Sequence, residues 1–139
     1  LNSVSNSTVP HLTIILGASY GAGTYAMSGR AFDNRFTFIW PTAKIAVMGP
    51  KQIAGVMSIV RRARAARKGE KFDEKEDAQM VAYAEKWQEE GSLALRATGA
   101  ISDDGIIDPR DTRTILGICL SVVNGRTIEG APGYGVYRL

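Results

Sequence analysis

Apolar residues change their spacing part-way along the chain, near Gln52. Before that point they come in short runs. His11-Leu12-Thr13-Ile14-Ile15-Leu16 is apolar and β-branched and is closed by Gly17, which predicts a buried strand entered through Val9-Pro10. Phe36-Thr37-Phe38-Ile39-Trp40, closed by Pro41, predicts a second strand. Lys44-Ile45-Ala46-Val47-Met48, closed by Gly49-Pro50, predicts a third. From Gln52 to Arg67 the period becomes helical, with Ile53, Val56, Met57 and Val60 on one face and Gly69 as the C-terminal cap. A second helix starts at Asp73, with Glu76 three residues on in the manner of a capping box. Its expected apolar stripe is Met80, Val81, Ala84 and Trp87, and Gly91 ends it.

Ser92 to Ala100 reads as a short helix or loop. Asp108-Pro109-Arg110-Asp111 is a helix start, with Asp at the N-cap and Pro at the first helical position. The helix from Pro109 to about Asn124 is apolar on most sides, so a core or subunit-interface position is expected, with Gly125 as cap. Leu1 to Thr8 is polar and reads as the tail of a preceding helix. Gly130 to Leu139 is turn-rich and carries Tyr134 and Tyr137. The order is therefore α/β with a helical C-terminal region, without internal repeats.

The segment between the first strand and Thr24 is different in kind. Gly17-Ala18-Ser19-Tyr20-Gly21-Ala22-Gly23 is small at all positions but one. A strand, a small-residue turn and a helix-compatible stretch (Thr24 to Ser28) together aim backbone N–H groups outward at a helix start. Such preorganised donors stabilise developing negative charge, and small residues let a ligand approach the main chain.

Bulk composition narrows the alternatives. The chain has 139 residues, 45% hydrophobic and 22% charged, with a net charge of only +3, which fits one soluble globular domain. The basic residues concentrate in Arg61-Arg62-Ala63-Arg64-Ala65-Ala66-Arg67-Lys68, with acids close behind, rather than over a whole face as nucleic-acid binding favours. That run reads as a solvated helix face, with contact to ligand phosphates as the alternative. The single cysteine, Cys119, allows no disulfide framework within the chain and favours a reducing compartment. One His and one Cys far apart argue against a zinc site. No apolar stretch reaches the roughly 18 residues that span a bilayer, and no signal peptide is visible. The chain opens at Leu1, which reads as a piece of a longer polypeptide.

Side chains offer little chemistry. His11 has no nucleophile beside it in sequence, and Cys119 sits in an apolar helix where thiols pack. Ser19 matches the G-x-S-x-G spacing of a nucleophile elbow, yet no histidine follows it to complete a triad. Asp103, Asp104, Asp108 and Asp111 lack EF-hand spacing, and a helix cap with an ion pair to Arg110 or Arg113 accounts for them. On the glycine turn alone, a tight turn packed under a helix remains the simpler reading.

Three motifs change that balance. Gly17 to Phe32 (Gly-Ala-Ser-Tyr-Gly-Ala-Gly-Thr-Tyr-Ala-Met-Ser-Gly-Arg-Ala-Phe), Trp40 to Gly49 (Trp-Pro-Thr-Ala-Lys-Ile-Ala-Val-Met-Gly) and Asp103 to Arg113 (Asp-Asp-Gly-Ile-Ile-Asp-Pro-Arg-Asp-Thr-Arg) occur in the order and spacing of one family. Together they resemble the carboxyltransferase (β) subunits of biotin-dependent acyl-CoA carboxylases. The resemblance covers nearly the whole chain.

It implies a crotonase-like (ClpP/crotonase) fold, with residues 1–139 forming most of the second, biotin-side domain of a two-domain subunit. The first domain would supply most of the acyl-CoA site. A hexamer of β subunits with biotin-carrying α subunits is implied, without nucleic acid or membrane. The compartment would be the bacterial cytoplasm, or the mitochondrial matrix in a eukaryote. Carried over by position, the amides that hold the biotin ureido oxygen fall on Ala22 and Gly23, with Tyr20, Gly21, Thr24 and Tyr25 in the biotin and substrate pocket. Biotin on the partner would be the cofactor, acyl-CoA the substrate, and no metal is implied. The ureido anion left by CO2 release would take the proton α to the thioester, and the enolate would attack CO2.

Ala22-Gly23-Thr24-Tyr25 is closer to the Ala-Gly-Asn-Tyr pattern of 3-methylcrotonyl- and geranyl-type enzymes than to the Gly-Gly-Ala-Tyr-Asp of propionyl- and acetyl-type ones. Thr24 departs from the usual Asn. Two other readings stand beside this one. A different crotonase-fold enzyme, such as a CoA hydratase or decarboxylase, would need an acid or base side chain near the glycine turn. Alternatively, the segment is mainly an assembly module with the chemistry upstream.

Overall fold

The computed structural model describes residues 2–130 and residue 133. The expectations for Tyr134 and Tyr137 lie outside the described residues. After one short helix (α1, Asn2–Ser5), β1 (Leu12–Ile15) and β3 (Phe36–Ile39) form where the apolar runs predict them. They pair in parallel, from Leu12↔Phe36 to Ile15↔Ile39. A two-residue strand that the sequence does not announce, β5 (Gly105–Ile106), joins the far side of β3.

The second unannounced strand matters more. Ala18–Tyr20, expected as part of a turn, is a strand (β2) that pairs in parallel with β4 (Lys44–Ala46). The two strand pairs belong to separate sheets, β1-β3-β5 and β2-β4. Main-chain bonds continue at their adjoining ends: the Trp40 N–H donates to the Ile15 carbonyl at 2.9 Å, and the Lys44 N–H to the Gly17 carbonyl at 3.1 Å. The glycine turn follows β2, not β1.

The buried centre is small: Ile39, Ala43, Ala94 and Ala97, with Ile15, Ile45 and Ile106 packed against it. Ala94 and Ala97 come from α5 (Ala94–Gly99), which realises the short helix expected after Ser92. Ser92 is itself fully buried; its carbonyl accepts from the Ile45 N–H at 2.8 Å, which ties β4 to this helix.

Helix α3 (Pro50–Lys68) begins at Pro50, two residues before the expected start, and Gly69 closes it in the left-handed region at φ 68°. Helix α4 (Glu74–Gly91) has Asp73 as N-cap, whose carboxylate accepts from the Lys75 and Glu76 N–H groups. The expected apolar stripes are only partly covered. Ile53 on α3 and Val81 and Ala84 on α4 are half-buried, whereas Val56, Met57, Val60, Met80 and Trp87 are exposed. Ala54 and Asp77 are buried, and ion pairs from Arg61 to Glu76 and Asp77 and from Arg62 to Glu74 join the two helices. The Arg62 guanidinium also lies 4.6 Å over the Phe72 ring. Carboxylates of α4 therefore pair two arginines of the basic run.

The last helix opens with a 3₁₀ turn, Pro109–Asp111, and continues as α6 (Thr112–Asn124) with Gly125 at its end. Its expected burial is only partly realised. Cys119 is buried, but Ile118, Leu120 and Val122 are exposed. Burial, followed by the charge of Asp104, pushes the Cys119 thiol pKa up, so the group is a packed, protonated thiol.

Candidate functional site

The site region is the connection from β2 into a short helix, α2 (Ala22–Ala26). Gly21 joins them with φ 66° and ψ −147°, a conformation nearly confined to glycine. A Cβ there would stand 3.2 Å from the Val47 carbonyl oxygen. The Gly21 N–H is spent on the Ala46 carbonyl at 3.0 Å, and its carbonyl accepts from the Thr24 N–H at 3.2 Å. These contacts clamp the turn onto β4. Ala22 and Gly23 are then the first two residues of the helix, not part of the turn. Their N–H groups lie where an α-helix has no intrahelical acceptor. Among the described residues neither donor has a partner, and both residues are exposed. A Cβ built at Gly23 meets nothing within 4 Å, so the space beside that residue is open.

Helix α2 is equally constrained at its other end. Ser28 is buried in the left-handed region at φ 63°. Its carbonyl accepts from the Thr13 hydroxyl at 2.9 Å and the Asn34 amide at 3.1 Å, while His11 Nδ1 lies 2.8 Å from its hydroxyl. The other His11 nitrogen meets the Ser7 hydroxyl at 2.8 Å, so this histidine is a structural brace. At Gly29 a Cβ would come within 2.8 Å of the Thr24 carbonyl oxygen, so only glycine passes there without a shift.

A cleft of about 440 Å3 opens beside α2, walled by Ile15, Leu16, Ser19, Tyr25, Met27 and Arg30, among others. Of the expected site residues, Thr24 and Tyr25 line it; Tyr20, Gly21, Ala22 and Gly23 do not. Tyr25 is about half exposed and rests edge-on against Phe32, ring centroids 6.2 Å apart. Tyr20 is half-buried on β2, where its ring lies 3.5 Å from the Cβ position of Gly49. Among the described residues no Asp, Glu, His, Lys or Cys lines the cleft. The Arg30 guanidinium in its wall is paired to Asp104 at 3.0 Å. Ser19, the residue at the elbow spacing, bonds the Thr24 hydroxyl at 2.8 Å.

The acidic cluster disperses into structural contacts. Asp103 accepts from the Thr98 hydroxyl at 2.9 Å, and Asp104 accepts from the Thr37 N–H at 2.7 Å as well as holding Arg30. Asp108 caps the turn before α6 and pairs with Arg110 at 2.6 Å, which holds its carboxyl below the usual carboxylate range. Among the described residues no group of three or more His, Cys, Asp or Glu is placed to hold a metal ion. Also among them, no helix is long and apolar enough to cross a membrane.

Two exposed main-chain donors thus stand at the start of α2 behind a glycine-only turn, next to a cleft that holds no acid or base among the described residues. The chain belongs to the carboxyl transferase domain family, whose model matches residues 1–131. It is 55% identical over 139 residues to a probable biotin-dependent acyl-coenzyme A carboxylase beta2 subunit of Mycobacterium tuberculosis, covering all of this chain and 26% of that protein. It is 44% identical over 137 residues to a mitochondrial methylcrotonoyl-CoA carboxylase beta chain of Arabidopsis thaliana, covering 99% and 23%. Among solved structures, the β subunit of P. aeruginosa geranyl-CoA carboxylase superposes with a TM-score of 0.78 at 39% identity, over 99% of this chain and 26% of that one. The architecture is the crotonase-like fold of the carboxyltransferases. The chain spans about a quarter of the length of these relatives.

Proposed function

We propose that this chain is the biotin-side domain of a two-domain acyl-CoA carboxylase β subunit, and that it transfers a carboxyl group from carboxybiotin to an acyl-CoA. The observation that carries this reading is the pair of exposed, unpartnered N–H groups at Ala22 and Gly23. They suit an oxygen that becomes negative, and the open space at Gly23 suits its close approach. When docked, biotin supplies both the carboxyl group and, at its ureido nitrogen, the base for the thioester α proton. This chain's part is to orient and to stabilise charge. Among the described residues the cleft next to α2 holds no acid or base, which agrees with that division.

The finer reading is a 3-methylcrotonyl-type substrate. Ala22-Gly23-Thr24-Tyr25 supports it, as do relatives named methylcrotonyl-CoA carboxylases at 44% and 39% identity. Geranyl-CoA is the nearest alternative and propionyl- or acetyl-CoA the next. The working assembly would be a β hexamer with a biotin-carrying α subunit, in bacterial cytoplasm or mitochondrial matrix. The exposed apolar residues of α6 leave room for a further role in subunit contacts.

The test uses the full-length β subunit with its biotin-carrying partner. Ala22→Pro removes one donor at the first helical position, where proline fits well; Gly23→Pro removes the other. Each should lower kcat by about 100-fold or more while light scattering shows the assembly intact. Wild-type turnover in both assembled variants would refute the mechanism. Across a panel of acyl-CoAs, 3-methylcrotonyl-CoA should have the highest kcat/KM; a preference for propionyl-CoA would overturn the substrate reading.

A further inference from the structure

We infer that Ser19 is a positioning residue for the Ala22–Gly23 donors, acting through the Thr24 hydroxyl; this rests on the function proposed above. Ser19 lies at the middle of β2, opposite Ile45 of β4, and Thr24 lies in the first turn of α2, just after Gly23. Their hydroxyl oxygens are 2.8 Å apart. Helix α2 has only five residues, too few to hold a fixed direction by its own hydrogen bonds. Its direction must come from attachments.

The main chain provides one at the start, where Gly21 is bonded to Ala46. Ser28 provides another at the end. Ser19–Thr24 is the side-chain bond that ties the body of the helix to the sheet beneath it. Both residues line the cleft, so the bond lies at the cleft wall, and Thr24 follows the Gly23 donor directly in the chain. A hydroxyl pair also uses one O–H for the mutual bond and leaves the second free to donate. Neither hydroxyl has another partner among the described residues. The second O–H therefore remains available to a polar group in the cleft.

The experiment is a cycle of Ser19→Ala, Thr24→Val and the double variant in the full-length β subunit with its biotin-carrying partner. Loss of a hydrogen bond of this kind should reduce kcat about fivefold in each single variant, with the KM for acyl-CoA little changed. The double variant should be no slower than the slower single one, because both changes cut the same bond. Thr24→Ser keeps the hydroxyl and should regain most of the rate that Thr24→Val loses. If Ser19→Ala fails to fold, the comparison of Thr24→Val with Thr24→Ser carries the test.

Wild-type kcat in the single variants, or losses that multiply in the double variant, would overturn the inference. So would a fall confined to thermal stability. Ala22→Pro and Gly23→Pro measured alongside separate the two levels. Activity in those variants removes the backbone site itself. Their inactivity with an unaffected Ser19→Ala removes only the positioning role.

Discussion

The turn into α2 and the hairpin of α3 and α4 are built by different means. In the turn, geometry is fixed by main-chain hydrogen bonds, by glycines at which a side chain has no room and by uncharged hydroxyl and amide bonds at Ser19–Thr24 and Ser28. Gly21 and Gly29 would drive a Cβ against the carbonyls of Val47 and Thr24. In the hairpin, geometry is set by side chains, with Asp77 buried between the Ser58 hydroxyl and the Arg61 guanidinium. On the proposed function, the main-chain donors are the working surface and cannot also fasten the turn. The donors at 22 and 23 are free because Gly21 and Ser28 carry the fastening on either side. The hairpin has no such conflict, because side chains make its ion pairs.

The glycines give the sharpest way to break this contrast. Gly21→Ala places a side chain at φ 66° and ψ −147°, which costs about 1–3 kcal/mol, and shifts the turn away from Val47. Turnover should fall about 100-fold, as for loss of a hole donor. Gly23→Ala meets nothing in the chain, so the melting temperature should hold. Its methyl group enters the space that the ligand would occupy, so kcat should fall while the fold does not change. Equal stability losses in the two variants, measured by thermal unfolding of the assembled enzyme, would show that the turn is not clamped as described.

The hairpin should respond in the opposite sense. Asp77→Ala leaves the Ser58 hydroxyl without its acceptor and Arg61 with Glu76 alone. The expected cost is about 1–3 kcal/mol, read as faster hydrogen exchange of the α3 and α4 amides. Carboxyl transfer per assembled subunit should keep its wild-type rate. A loss of rate without a change in exchange would mean that the hairpin takes part in the reaction.

The same contrast explains which features the sequence reveals. β1, β3 and β4 are legible because their apolar runs are long enough to show a strand period. β2 is not, because Ala18-Ser19-Tyr20 has two small residues beside glycines, and its strand state comes from pairing with β4. β5 has two residues and carries no period at all. The helices α3 and α4 are legible as helices, but their contact faces only in part. Periodicity marks Met57, Val60, Met80 and Trp87, which are exposed, alongside half-buried Ile53, Val81 and Ala84, and it gives no sign of the ion pairs between the helices. At the site, the motif order leads to Ala22 and Gly23. It does not reveal that Gly21 is the glycine the fold demands, nor that Ser19 and Thr24 meet, because both facts depend on β4 and on the crossing of α2 over the sheet.

The smallest expected effect concerns the caps, where side chains fasten main-chain donors. Asp73 in the hairpin and Asp108 before α6 each accept from backbone N–H groups. At Asp108 the hydrogen bonds from the Arg110 side chain and then from its backbone N–H lower the carboxyl pKa, so the unfolded chain binds the proton more readily. The resulting stabilisation is present above the unfolded value of about 3.9 and is lost as the pH falls through the lower folded value. Asp108→Asn keeps a capping oxygen and removes the charge. Its unfolding midpoint should lie slightly below that of the wild type at neutral pH, and the gap should close as the pH falls below about 4. Because Asp108 and Arg110 face solvent, added salt should narrow the same gap at neutral pH. A gap unchanged by both acid and salt would mean that the cap acts through its hydrogen bond alone, and that charge fastens only the hairpin.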